Sequence, residues 1–268
     1  MKKIILCLAA LACWWLPLPA FSQEGRGSSA PTIGSYDELR DLIENMAMKL
    51  KTETNLRLAR GFKSKKTAFN KLKYSVFYNY ATHYRYKWKS DSPYIKFQLT
   101  LADNSILYAA YRNPKLRKKL NARERQSLEA AEACVERAVQ PGMSRREIIM
   151  ALHDEVADIC SYDHGNIRNQ SCVSVFTRGK GACGAYTRVL WLLLAMNDIK
   201  SHVIQGSEKS GGPHCWNLVE FEEGEWYHVD VTWDDQNPIS HRFFALTDAE
   251  IKKDHRWDMK SYPATPRR

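Results

Sequence analysis

Three side chains in this sequence have the types and order of a nucleophile, a base and an orienter. Cys183 sits in Gly179-Lys180-Gly181-Ala182-Cys183-Gly184-Ala185-Tyr186, His214 opens His214-Cys215-Trp216-Asn217-Leu218-Val219, and Asp230 lies in Trp226-Tyr227-His228-Val229-Asp230-Val231-Thr232-Trp233. A thiol whose proton an imidazole can take, with a carboxylate holding that imidazole, attacks carbonyl carbon. A Gly-rich turn precedes Cys183, and the apolar run Val189 to Met196 follows it. The cysteine is therefore expected at the mouth of a helix, where unpaired N–H groups and the helix dipole favour a thiolate. Gly181 and Gly184 are expected to clear space around the sulfur for a substrate carbonyl. Because the helix is apolar on most sides, it reads as buried rather than amphipathic.

The two runs after the helix read as paired strands. His214 and Asp230 can meet only from the same face, and side chains alternate faces with a period of two. A three-residue loop at Glu222-Glu223-Gly224, with Gly at the left-handed position, sets Asp230 opposite Trp216 and two residues from His214. A two-residue loop at Glu223-Gly224 sets Asp230 opposite Asn217, on the wrong face. The chemistry therefore predicts the odd loop.

These runs, taken together, resemble the transglutaminase-like superfamily of papain-like thiol enzymes, and most of all its bacterial branch. The resemblance extends upstream to Leu152-His153-Asp154 and Tyr162-Asp163, and downstream to Phe243-Phe244-Ala245-Leu246-Thr247. It covers roughly residues 120 to 256. It implies Cys183 as nucleophile, His214 as general base and acid, and Asp230 as orienter. Where the family often has Val before the Cys and Gly-Ile after the helix, this chain has Ala182 and Asp198-Ile199. The fold class expected is α+β: a papain-like transglutaminase core, with the Cys-bearing helix buried on an antiparallel sheet, preceded by a small α+β module.

The elements that must hold this core follow from the rest of the chain. Met1 to Ser22 reads as a secretory signal: Lys2-Lys3, an apolar run from Ile4 to Trp15, and Ala20-Phe21-Ser22 before Gln23. A lipid anchor at Cys13 is the less favoured reading, because Ala10 stands where such a signal prefers Leu. Residues 23–31 read as a flexible leader, 32–118 as a basic α+β module, 119–256 as the catalytic domain and 257–268 as a tail, disordered from Ser261 on. In the module, a capping box of Ser35 with Glu38 starts a helix to about Lys51. Leu56–Ala59 reads as a strand, and Thr67–Tyr84 as helix more than strand. Tyr94–Leu101 and Ile106–Tyr111 read as strands joined by a turn at 102–104. Asn121 with Glu124, Ser144 with Glu147, and Thr247 with Glu250 signal three more helix starts. Ile148, Ile149, Leu152, Val156 and Ile159 lie at helical spacing, and their helix is expected to cover the catalytic one. His153 reads as a structural histidine.

Charge is the module's other feature. Lys63, Lys65, Lys66, Lys71 and Lys73 cluster there, and Arg85, Lys87 and Lys89 alternate with Tyr84, Tyr86 and Trp88. Removing Lys2 and Lys3 with the signal lowers the formal charge from +10 to +8. A soluble surface explains this, and so does contact with an anionic envelope polymer. Export argues against nucleic acid. Five cysteines remain after the signal: Cys134, Cys160, Cys172, Cys183 and Cys215. With Cys183 kept as the nucleophile, the preferred disulfide is Cys160–Cys172, leaving Cys134–Cys215; buried free thiols are the alternative. Strand alternation points Cys215 away from His214.

No Cys-x-x-Cys pair or ligand spacing among His153, His164, His202, His214 and His228 calls for a metal. Asp234-Asp235 reads as a solvated turn, and no cofactor is implied. His164, Asn169 and Gln170 are candidate substrate contacts on the long connection 161–182. Trp216 and Trp233 either wall the cleft or pack the core. The backbone N–H of Cys183 is the first oxyanion donor, and the second stays unassigned.

The sequence thus points to a periplasmic or secreted thiol enzyme acting on amide bonds of peptides or proteins, peptidoglycan peptides included. Hydrolysis is favoured; glutamine–lysine cross-linking and a non-catalytic peptide- or envelope-binding module are the alternatives. The mature protein is expected to begin at or near Gln23. Intact mass from a native-like exporting host measures this, and a diacylated chain starting at Cys13 would refute it.

Overall fold

The helix bearing Cys183 sets the layout. A computed structural model describes residues 30–59, 77–88 and 92–266. Before that helix come β1 (Thr32–Ile33), α1 (Tyr36–Met48), β2 (Glu53–Leu58), α2 (Phe77–Tyr80), β3 (Ala81–Trp88), β4 (Ile95–Leu101), α3 (Asp103–Arg112) and α4 (Pro114–Arg117). Next come α5 (Ala122–Ala138), α6 (Arg145–Ile159), β5 (Ser161–Tyr162), α7 (Cys172–Arg178) and β6 (Lys180–Gly181). The helix itself is α8 (Cys183–Met196). It is followed by β7 (Ser201–Glu208), β8 (Pro213–Glu222), β9 (Glu225–Val229), α9 (Val231–Asp234), β10 (Phe244–Leu246), α10 (Asp248–Ile251) and β11 (His255–Arg256). This mixed α+β architecture is the class expected. Among the described residues, no helix is long and apolar enough to cross a membrane.

Every residue of α8 except Ala195 is buried. Each fully buried leucine is worth about 1.5–3 kcal/mol relative to exposure, so Leu190, Leu192, Leu193 and Leu194 together prevent the helix from turning about its axis. One side of α8 faces the five-stranded antiparallel sheet β10-β9-β8-β7-β11. The other meets α6 and α3. The four-stranded sheet β1-β2-β4-β3 lies in the N-terminal half. One cluster of buried apolar side chains runs from Ile33 to Ala245. Trp191 of α8 meets Tyr80 and Tyr108 edge-on at 5.7 and 5.6 Å between ring centroids. Buried Asn79 donates to Ser201 O (3.2 Å) and accepts from Val203 N (2.7 Å), pinning α2 to the start of β7.

Several local expectations hold. Capping boxes start α5 at Asn121, α6 at Ser144 and α10 at Thr247. At Ser35 only half a box forms, because the Glu38 carboxylate turns to Gly34 N (2.6 Å). That helix ends at Met48, short of Lys51. Ile149, Leu152 and Val156 are buried on α6, which packs on α8. After α8, Asp198 adopts a left-handed φ of 55°. That conformation usually falls to Gly, and Asp is among the few other residues that tolerate it.

Other expectations are corrected. Ile106–Tyr111 is helical, inside α3. Its Ile and Tyr suggest a strand, but Leu107 and Ala110 lie at helical spacing and are buried there. Of Thr67–Tyr84, residues 67–76 lie outside the described set, as do Lys63, Lys65, Lys66, Lys71, Lys73 and Lys89. Beyond the four-residue α2, the segment from Ala81 on is strand, with Tyr84 against Phe77 and Phe97.

The run 226–233 is not one strand: β9 stops at Val229 and Asp230 caps the short α9. The hairpin turn has two residues, since Glu222 pairs with Glu225. A register shift between Glu220 and Glu222 supplies the odd residue, and Gly224 takes φ +76°. Below the shift Asn217 faces Val229, so the expected register toward Asp230 survives by another route.

All five described cysteines are free thiols. Asp234 is fully buried, accepting from Phe243 N (3.1 Å) and facing His153 Nε2 (3.2 Å), so the Asp234-Asp235 pair is an anchor rather than a solvated turn. The tail also docks. Tyr262 is buried with Ile204, Trp216 and Trp226, and Thr265 Oγ1 accepts from Asp248 N at 2.7 Å. Tyr262→Ala is expected to cost about 3 kcal/mol of stability, read from the urea midpoint; a change under about 0.5 kcal/mol, the range of ordinary surface substitutions, would show the tail to be dispensable.

Candidate active site

α8 begins at Cys183 with Ala182 as its N-cap, and Ala182 offers no side chain to satisfy the first amides. Those N–H groups point at the sulfur's surroundings. Two glycines let this corner form, though not by clearing space for substrate. A Cβ on Gly181 would lie 2.4 Å from Ala185 Cβ, and one on Gly184 would lie 2.0 Å from Gln170 Oε1. Both are occupied by neighbouring protein. Gln170 thus rests against Gly184, next to Cys183, its amide also donating to Ile167 O at 2.7 Å.

His214 comes from the start of β8. Its Nε2 donates to Asp230 Oδ2 at 2.7 Å, leaving Nδ1 for the Cys183 thiol, with which the imidazole hydrogen-bonds. Asp230 has no exposed surface. Its Oδ1 accepts from Thr232 N (3.1 Å) and Trp233 N (3.3 Å) as the cap of α9. The structure thus brings together the three residues singled out in the sequence. Trp233 stacks on the His214 ring at 5.4 Å, while Trp216 is core, donating Nε1–H to His228 Nδ1 at 2.9 Å. Asn217 joins the two halves of the site: its amide donates to Thr187 O (3.1 Å), locking β8 to the first turns of α8.

The electrostatics follow from these contacts. The Cys183 thiol is lowered to about 5: the Cys215 thiol hydrogen-bonds to it, burial opposes, and the His214 hydrogen bond and charge add to the lowering. His214 is raised to about 10: burial opposes, but the charge and hydrogen bond of Asp230 and then Cys183 outweigh it. Burial pushes Asp230 up, yet the charge and hydrogen bonds of His214, with the hydrogen bond of His255, hold it below its ordinary value. Both shifts favour a thiolate beside an imidazolium. Cys215 does not point away as strand alternation suggests. It is the third residue of β8, paired with Gln205, and both its thiol and its backbone reach Cys183.

Other sequence candidates fall elsewhere. His153 is fully buried between Asp154 (2.8 Å) and Asp234 on α6. Asn169 is buried and donates to Asp163 Oδ2, Ser174 Oγ and Lys180 O, so it shapes the 161–182 connection. His164 is exposed, its ring 4.9 Å from Tyr162. Tyr162 was not singled out, yet its phenol feels the Cys183 charge. Also missed was His255, whose Nε2 lies 3.0 Å from Asp230 Oδ2. No motif marks it: it stands 25 residues from Asp230 and arrives through the pairing of β11 with β7. Among the described residues, two His–Asp clusters gather three side chains within 4.8 Å of one another: His214, Asp230 and His255, and His153, Asp154 and His241. Sequence spacing shows neither.

Residues 132–231 match the transglutaminase-like superfamily core, a span that contains Cys183, His214 and Asp230. No curated protein matches the sequence. Among solved structures, a protein described as a TGase aligns at 14% identity and TM-score 0.38, covering 76% of this chain and 59% of its own. A candidate cysteine protease from Cytophaga hutchinsonii aligns at 12% and 0.33, covering 56% of this chain and 61% of its own. A candidate protease from Parabacteroides distasonis aligns at 8% and 0.32, covering 66% and 39%. This chain thus spans less than two thirds of the length of each.

Iodoacetamide labelling of Cys183 is expected to reach half its maximum rate near pH 5, because the thiolate persists above the lowered value. Cys134 and Cys160, pushed up to about 12 chiefly by burial, should stay unlabelled in the folded protein. Peptide mapping against pH reads this, and a Cys183 half-point near the ordinary thiol value of about 8.5 would contradict it.

Proposed function

We propose that this chain is a thiol hydrolase of amide bonds in peptides or proteins, working through Cys183, His214 and Asp230. The observation that carries the reading is the geometry: the Cys183 thiol at a helix mouth hydrogen-bonds to His214, whose other nitrogen is held by a fully buried carboxylate. The transglutaminase-like core over residues 132–231 adds a family whose members are usually cysteine-dependent enzymes.

In this mechanism, Cys183 Sγ attacks the carbonyl carbon, a C–S bond forms and the carbonyl oxygen takes the negative charge. The N–H of Cys183 is placed to receive that oxyanion. His214 Nδ1–H passes its proton to the amide nitrogen, the C–N bond breaks and the amine leaves, giving a thioester. Water then attacks the thioester carbon while His214 takes its proton. The C–S bond breaks, the acid leaves and the thiolate–imidazolium pair returns. Asp230 keeps Nε2 protonated throughout, so Nδ1 alone carries the proton to and fro. Hydrolysis needs nothing beyond these residues and water. An acceptor lysine in place of water would give cross-linking by the same first half-reaction.

The export expected from the leader, and contact of the basic N-terminal half with an anionic envelope polymer, extend this proposal to peptides of the cell envelope. Asp230→Asn should leave the fold intact and slow acylation by roughly a hundredfold or more, because the amide no longer fixes the imidazole tautomer. Mass spectrometry of Cys183 after brief exposure to a panel of envelope peptides and glutamine peptides, with and without a fluorescent primary amine, reads thioester, hydrolysis and transfer separately. Full-rate acylation in Asp230→Asn, or no adduct on Cys183 with any peptide, would overturn the assignment.

A further inference from the structure

His255 sits on β11, a two-residue edge strand paired with β7 through Glu208 and Ser207. No part of it is exposed. Its Nε2 lies 3.0 Å from Asp230 Oδ2, the oxygen that His214 Nε2 approaches at 2.7 Å. An ionised carboxylate only accepts, so both imidazoles donate to the same oxygen. The other nitrogen of His255, Nδ1, is buried with no hydrogen-bond partner. The ring is boxed by Trp233 at 4.4 Å, Trp216 at 4.7 Å, His214 at 5.4 Å and Phe243 at 5.8 Å.

As packing, this is a poor use of a histidine. A buried nitrogen without a partner is costly, and Phe or Leu would fill an aromatic box without that cost. What the imidazole adds is one N–H aimed at Asp230. We propose that His255 is a positioning residue for the Cys183 chemistry, donating to Asp230 and so fixing the carboxylate that holds His214. The inference rests on the Cys183–His214–Asp230 reading above. His255 is not set against a reacting atom. It acts through Asp230, whose Oδ1 is held by two amides and whose Oδ2 is held by two rings. With four donors the carboxylate cannot turn, and its charge stays ionised away from water.

The titratable groups that meet Asp230 are His214 from β8 and His255 from β11; its charge also reaches Cys215 of β8, and it acts on Cys183 of α8 through His214. Removing the His255 donor leaves the carboxylate less stabilised, so Asp230 takes up a proton at higher pH. His214 then loses its counter-charge and the Cys183 thiolate loses its imidazolium. The acid limb of Cys183 reactivity therefore moves up in pH.

The experiment compares the full-length parent with His255→Phe, which removes the donor, and His255→Gln, whose amide can still donate. The readout is the rate of Cys183 labelling by iodoacetamide against pH, with near-UV circular dichroism as the check of packing. His255→Phe should shift the acid limb upward by about one pH unit, and His255→Gln should stay near the parent. If His255→Phe does not fold, His255→Leu removes the same donor. A Phe or Leu profile superimposed on the parent would overturn the proposal. So would a Gln profile shifted as far as the donor-less ones, since packing alone would then account for the effect. A parent half-point near the ordinary thiol value would instead sink the assignment of Cys183, a result read before any variant is made.

Discussion

A carboxylate sealed away from water governs this molecule. Burying an ionised Asp costs several kcal/mol unless it is compensated, and Asp230 has no exposed surface. Compensation comes from four donors on three elements: the first amides of α9, the head of β8 and the edge strand β11. Each element is therefore constrained by the others. β9 must stop at Val229 so that Asp230 can cap a helix instead of pairing onward, and β11 must join β7 so that His255 arrives. The buried charge raises His214, and His214, together with the Cys215 thiol, lowers Cys183.

The helix and sheet around this charge are a mount whose tolerances are set by small residues. Gly181 and Gly184 allow Ala185 and Gln170 to approach the turn before α8. Asn217 and Thr187 tie strand to helix one and a half turns further on. The helix is buried nearly all round, so the sulfur inherits the rigidity of the whole core rather than that of a loop.

Much of this was legible in the sequence because it is local. A Gly-rich turn ahead of an apolar run announces a helix mouth, capping boxes announce helix starts, and period-two alternation places His214 and Asp230 on one face. What could not be read depends on longer range or on competition between local rules. His255 carries no spacing relation to Asp230 because a strand pairing, not a motif, delivers it. Ile106–Tyr111 has strand-like side chains, yet the buried face of Leu107 and Ala110 decides for helix. The odd residue of the hairpin was rightly required but wrongly placed, because a shift near Phe221 serves as well as a longer turn. Cys215 could not be read from alternation, because its contact with Cys183 depends on how the mouth of α8 packs against β8. The tail reads as disordered from Ser261 on, whereas Tyr262 and Thr265 find partners on β7 and α10 that only the tertiary structure supplies.

The clasp made by Asn79 has a kinetic meaning. Its two bonds to the start of β7 join residues 122 and 124 positions apart, and Tyr80 beside it meets Trp191 more than a hundred residues later. Contacts of such separation form late, because the intervening chain must lose its freedom first. The 77–80 segment therefore waits for β7 to be made, and until then the side of the core that it covers stays open.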